Sequence, residues 1–132
     1  MNGVAQVAAL LSAITYIAVS PLEMFLYDRP AVRRWLRVES ADVGDVRMWA
    51  FVVGFRNLLA GAGTIVGLII LHNGNEVAGS AVVLTAAWYM LLASLAMGLA
   101  DLLGHWRPRG GSVVGTLGSS VLPLVVLVAA TL

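Results

Sequence analysis

Three charged side chains lie in parts of this sequence that are otherwise apolar. Glu23 ends the first long apolar run, Arg56 lies within the second, and Asp101 closes the third. An ionisable group at membrane depth costs about 2.5–3.5 kcal/mol on insertion scales, so such residues mark candidate functional sites. A carboxylic acid in an apolar setting can donate a proton, while a carboxylate paired with Arg stays ionised and can act as a base. We therefore take Glu23 and Asp101 as the candidate catalytic acid and base.

Helical spacing predicts which side chains accompany these charges. Arg56 follows Arg47 by nine residues, roughly 13 Å along a helix, which places it in the same membrane half as Glu23 and Asp101. We expect Arg56 to pair with one of the two carboxylates. Positions on the same helix faces, and the neighbour of Arg56, add candidate substrate-binding residues: Asn57, Tyr16, Ser20, Trp49, Ser94 and Met97. Together these residues are expected to form one polar pocket for a lipophilic small molecule in the cytoplasmic half of the membrane. The alternative interpretation is an ion-paired network that fixes helix register and binds no ligand.

Composition indicates an integral membrane protein. Of 132 residues, 60% are hydrophobic and only 11% are charged, with a mean hydropathy of +0.91, whereas a typical soluble domain has roughly 25% charged residues. The absence of Cys excludes thiol catalysis and thiolate metal sites. No phosphate loop, nucleophile elbow or metal motif is present, so we expect no cofactor. The net charge of +1 gives no reason to expect a nucleic-acid partner.

The apolar runs predict an all-α fold: a four-helix transmembrane bundle forming a single domain. The spans are expected at 4–27, 46–71, 77–103 and 112–132, each long enough to cross a bilayer. Seven Arg residues lie in the first and third connections, and the second connection has none. The positive-inside rule then puts both termini outside the cytoplasm. All basic residues are Arg and the chain is rich in Ala, Val, Gly and Leu, which is typical of a bacterial gene, so we expect the bacterial inner membrane.

The first connection is predicted to contain a short amphipathic helix at the cytoplasmic surface. Asp28 is the expected N-cap, Pro30 suits the first turn, and residues 31–38 alternate apolar side chains with Arg. Such a helix lies on a membrane surface. It would serve either as a gate for lipid or substrate, or simply as a topology anchor.

Two prolines lie inside predicted spans. Proline has no backbone N–H and so frees the carbonyl four residues earlier. Pro21 should free the carbonyl of Ile17, and Pro123 that of Ser119. The first of these is close to Glu23, where a kink would widen a cavity or bend the end of the helix.

The segment Leu22-Glu23-Met24-Phe25, followed by a basic connection, resembles a small bacterial family of four-helix membrane proteins. That family is catalogued as a domain of unknown function, and we consider it similar to the DoxX-like proteins. Its second helix typically carries Asn-Gln-Gly-x-Tyr-Asn. This chain has Val-Val-Gly-Phe-Arg-Asn at 52–57, so Gly54 and Asn57 match while Arg56 replaces the Tyr and two Val replace Asn-Gln. The resemblance implies a divergent member.

Three functions fit these features. The first is an enzyme that isomerises or cyclises a lipid-soluble substrate, including by epoxide opening, with Glu23 and Asp101. The second is a proton-coupled transporter, because small multidrug exporters are dimers of four-helix proteins with a Glu in helix 1, although Glu23 lies late in its helix. The third is an accessory subunit without catalysis. The expected partners are membrane lipid and a lipophilic small molecule, and homo-oligomerisation stays open.

Overall fold

The fold is all-α, as predicted. The computed structural model describes residues 1–132, with no strand in the chain. The helices are α1 (Gly3–Met24), α2 (Pro30–Leu36), α3 (Val43–His72), α4 (Glu76–Leu102) and α5 (Val113–Ala129), with a 3-10 turn at Ser40–Asp42 before α3. The helices α1, α3 and α4 are long and apolar enough to cross a membrane, which indicates a membrane protein, and α5 is apolar but has 17 residues.

The four long helices form an antiparallel bundle. The helix α1 packs against α3 and α5, and α4 packs against the same two helices. As a result, α1 and α4 are diagonal to each other. The Asn2 side chain joins the two ends of the chain, because its Nδ2 donates a hydrogen bond to the Ala129 carbonyl. Its Oδ1 caps α1 by accepting a hydrogen bond from the Ala5 N–H.

Small residues allow the helices to approach closely. A Cβ at Gly61 of α3 would lie 2.8 Å from the carbonyl oxygen of Ala13 and 2.7 Å from the side chain of Ile17. A Cβ at Gly67 would lie 2.8 Å from Val83 of α4. Membrane helices associate through small residues at their interfaces, because lipid gives no hydrophobic driving force between them. Glycine therefore sets the spacing of α1, α3 and α4.

The register of α1 against α3 places Arg56 near the end of α1. Gly54 lies against Ser20 and Glu23 in the last turns of α1. Residues 43–53 of α3, about 16 Å of helix, therefore continue beyond the end of α1, where Tyr27 donates a hydrogen bond to the Val43 carbonyl at 2.6 Å. Arg56 thus lies two residues along α3 from Gly54, close to the level at which α1 ends.

The first connection contains the predicted short helix, with one correction. Pro30 occupies the first turn of α2, but the N-cap is Arg29, which makes no side-chain capping bond, so Asp28 was the wrong prediction. The helix ends at Leu36 because Arg37 adopts the left-handed conformation with φ 58°. Val32, Arg33 and Leu36 are half-buried, whereas Arg34 and Trp35 are exposed.

Candidate functional site

Glu23 meets Asn57 where α1 ends beside α3. The Asn57 Nδ2 donates to Glu23 Oε2 at 2.7 Å, and both side chains are half-buried. Gly54, one turn before Asn57, permits this contact, since a Cβ there would lie 2.8 Å from the Ser20 carbonyl oxygen and 3.0 Å from Glu23 Cβ. The three positions that matched the family pattern therefore form one structural unit.

The contact leaves Glu23 able to hold or release a proton. An amide N–H can donate to a carboxylate oxygen or to the carbonyl oxygen of the neutral acid. Glu23 Oε1 makes no hydrogen bond within the protein. A proton can therefore bind or leave at Oε1 while Asn57 keeps its bond to Oε2. This arrangement suits an acid, a base or a proton carrier.

Asp101 is engaged with the connection between α4 and α5. Its buried carboxylate accepts three hydrogen bonds, from Gly110 N at 2.8 Å, Ser112 N at 2.9 Å and Ser112 Oγ at 2.7 Å. These bonds fix the residues that precede α5. The structure does not bring Asp101 to Glu23, because α4 is diagonal to α1 and the two carboxylates share no partner.

Arg56 forms no ion pair with either carboxylate, and the prediction of such a pair was wrong. Adjacent residues of an α-helix point about 100° apart. Since Asn57 points toward α1, Arg56 points away from it, toward α4. The sequence argument used the depth and the reach of the Arg side chain, but it could not establish which helix the residue faces.

An open groove of about 810 Å³ runs between α3 and α4. Its walls are mostly apolar and contain one charged side chain; the lining residues are Arg56, Leu59, Ala60, Ala81, Val82, Thr85, Ala86 and Tyr89. The Thr85 hydroxyl donates to the Ala81 carbonyl, whereas neither Arg56 nor Tyr89 makes a side-chain hydrogen bond. Sequence analysis missed Thr85 and Tyr89, although their spacing of four residues was a usable signal.

Tyr16 lies in the centre of the bundle and not in a cavity beside Glu23. Its hydroxyl is 3.0 Å from Ser94 Oγ, 3.2 Å from the Met90 carbonyl and 3.2 Å from the Ser119 carbonyl. The single phenolic proton can go to only one of these acceptors at a time. The cluster connects α1, α4 and α5 across the diagonal of the bundle. Ser94 and Tyr16 are therefore two of the predicted substrate-binding residues that do lie in contact.

Both carbonyls that proline was predicted to free lie within bonding distance of a hydroxyl. Ser20 Oγ donates to the Ile17 carbonyl at 2.8 Å, and the Tyr16 hydroxyl is within bonding distance of the Ser119 carbonyl. A backbone oxygen in an apolar interior needs such a partner. Ser20 is thereby directed to its own helix rather than to Glu23.

The remaining candidates lie apart from one another. Trp49 is 63% exposed, in the part of α3 that continues beyond α1. Met97 packs toward α5, where its Sδ would be 3.2 Å from a Cβ at Gly115. The structure thus joins Glu23 to Asn57 and Tyr16 to Ser94. It does not gather the nine predicted residues into one pocket, because their shared depth did not place them on facing surfaces.

The family described as "Protein of unknown function (DUF1304)" matches residues 10–131 of this chain. The chain belongs to that family. This confirms the resemblance to a family catalogued as a domain of unknown function, and the match to DUF1304 includes the Glu23–Asn57 contact and the α3–α4 groove. Comparison with curated proteins and with solved structures found no match.

Proposed function

We propose that this chain is a multi-pass protein of the bacterial inner membrane that binds a lipophilic small molecule in the α3–α4 groove. Large apolar side chains are exposed around the bundle, among them Leu59, Ile69 and Leu92, and a soluble monomer rarely exposes large contiguous apolar patches. The helix α5 is the fourth span. The Arg-rich connections face the cytoplasm and both termini lie outside.

The observation that supports ligand binding is the composition of the groove. Binding pockets for small molecules typically measure roughly 300–1,000 Å³ and combine apolar walls with a few polar groups, and the α3–α4 groove, at about 810 Å³, has this character. It opens on the side of the bundle, so a molecule dissolved in the bilayer can enter it laterally. Ala60, Ala81 and Ala86 leave the space that larger side chains would fill.

A second candidate function is proton chemistry at Glu23. It is supported by the free Oε1 atom and by an Asn57 contact that suits both protonation states. Such an acid would serve isomerisation or cyclisation of a lipid-soluble substrate, or proton-coupled transport. Since Glu23 lies on the α1 side of α3 and the groove on the α4 side, the acid and the groove are separate sites. An accessory protein without catalysis would use only the ligand-binding groove and would need no proton chemistry at Glu23.

Photolabelling tests the groove. The purified full chain in nonionic detergent is labelled with an uncharged long-chain alcohol that carries a diazirine, and the labelled peptides are identified by mass spectrometry. Ala81→Trp is expected to reduce labelling of α3 and α4, because the indole fills the groove. Ala18→Trp, at an exposed position on α1, is the matched control and should leave labelling unchanged. Equal labelling of wild type and Ala81→Trp would contradict the proposal.

A further inference from the structure

The α3–α4 groove has a polar end and an apolar end. Gly79 packs against Leu71 and Gly67 against Val83. Because the two helices are antiparallel, higher residue numbers on α4 lie beside lower residue numbers on α3. Arg56 and Tyr89 therefore share the end nearer the Arg-rich connections. Ala81 and Val82 form the opposite end, about 12 Å from Tyr89 along α4.

The polar end carries an unmatched positive charge. Arg56 has no acidic partner, and no Asp or Glu lines the groove. An unpaired guanidinium against lipid is unfavourable. Its planar fork matches a carboxylate through two parallel hydrogen bonds. The Tyr89 hydroxyl, which also lacks a partner, adds a further donor at the same end. A small oxyanion would complement both the positive charge of Arg56 and the hydroxyl donor of Tyr89 at this end of the groove.

The apolar end has the form of a track for one hydrocarbon chain. On the α4 side its wall is a single stripe of small and medium side chains, Ala81, Val82, Thr85 and Ala86, and the Thr85 hydroxyl is satisfied by its own helix. The order of polar and apolar parts is that of an amphiphile in the leaflet beside the Arg-rich connections, with its head toward that surface.

We infer that the groove takes a single-chain amphiphile with a carboxylate head, that is, a long-chain fatty acid. The carboxylate lies at Arg56 and Tyr89, and the chain runs toward Ala81 and Val82. This assignment rests on the proposed ligand-binding function and adds to it the charge and the orientation of the ligand.

Equilibrium binding of isotope-labelled palmitate and hexadecanol tests the assignment, because the two probes have equal chains and differ in head charge. The full chain is used in nonionic detergent. Arg56→Gln is expected to weaken palmitate binding by about tenfold or more, as for loss of a hydrogen bond to a charged group, and Arg56→Lys should weaken it less. Hexadecanol binding should be the same in the wild type and in both Arg56 variants. Arg47→Gln, an exposed position on α3 outside the groove, is the control.

The outcomes separate the two proposals. Palmitate binding that is unchanged in Arg56→Gln, or hexadecanol binding without palmitate binding, overturns the carboxylate assignment while the ligand-binding groove stands. Displacement of palmitate by phosphatidylglycerol identifies a two-chain lipid as the occupant and also overturns it. If neither probe binds, or if Ala81→Trp binds hexadecanol like the wild type, the proposed function itself fails.

Discussion

At the scale of single residues, the position of a charge was easier to predict than its partner. Glu23, Gly54 and Asn57 were identified from the sequence pattern, and the structure joins them in one contact. Arg56, the neighbour of Asn57, was expected to pair with Glu23 or Asp101 and instead lines the α3–α4 groove. Adjacent helical positions diverge by about 100°, so an amide and a guanidinium next to each other in sequence serve different surfaces.

Substitution of Glu23 separates its structural contact from its proton. Glu23→Gln retains an oxygen that can accept from Asn57, so its free energy of unfolding should stay within about 0.5 kcal/mol of wild type. Glu23→Leu leaves the Asn57 amide without its acceptor and should cost about 1–3 kcal/mol. Thermal unfolding in detergent, followed by circular dichroism, measures both variants.

The same pair of variants tests the second candidate function. If Glu23 supplies a proton, Glu23→Gln abolishes turnover or proton-coupled transport although the protein remains folded. Full retention of activity in Glu23→Gln would return Glu23 to a purely structural role. Equal stability of the Gln and Leu variants would show that the Asn57 contact contributes nothing to folding.

At the scale of helices, the sequence predicted how many helices there are and how long they are, but it did not predict which helix surfaces pack against each other. Apolar run length and loop Arg residues predicted four long helices and the short α2, because both signals are local. The role of Asp101 could not be read in this way, since its partners, Gly110 and Ser112, belong to a connection whose path depends on the packing of α5. The proline-freed carbonyls were predictable, but Tyr16 as the partner of Ser119 was not, because that bond crosses between helices.

Two glycines of α3 give a matched test of helix packing. Gly54→Ala would force a Cβ to within 2.8 Å of the Ser20 carbonyl oxygen, so we expect a loss of about 1–3 kcal/mol in the free energy of unfolding. At Gly63 a Cβ meets nothing within 4 Å, and Ala is favoured over Gly in a helix by roughly 0.5–1 kcal/mol. Gly63→Ala should therefore be neutral or stabilising in thermal unfolding. A Gly54→Ala variant as stable as Gly63→Ala would mean that α1 and α3 are not in close contact at Glu23.

At the scale of the whole molecule, the fourth span decides the topology. The helix α5 has 17 residues, about 26 Å of helix, against a hydrocarbon core about 30 Å thick. Its apolar composition and its packing against α1 and α4 place it in the bundle. If α5 crosses the membrane, the chain ends on the same side as the turn between α3 and α4, and the Arg-rich connections lie on the other side.

Cysteine labelling tests this arrangement directly, because the chain has no native Cys. Single cysteines are placed at the exposed positions Ser40, Asn73 and Thr131. Asn2 is left unchanged, because its side chain makes hydrogen bonds to Ala5 and Ala129. A membrane-impermeant maleimide applied to intact spheroplasts should label Asn73→Cys and Thr131→Cys, whereas Ser40→Cys should react only after permeabilisation. Labelling of Ser40→Cys and Asn73→Cys from the same side would contradict the orientation as a whole. Labelling of Thr131→Cys from the side of Ser40→Cys would show instead that α5 does not span, and would leave three crossing helices.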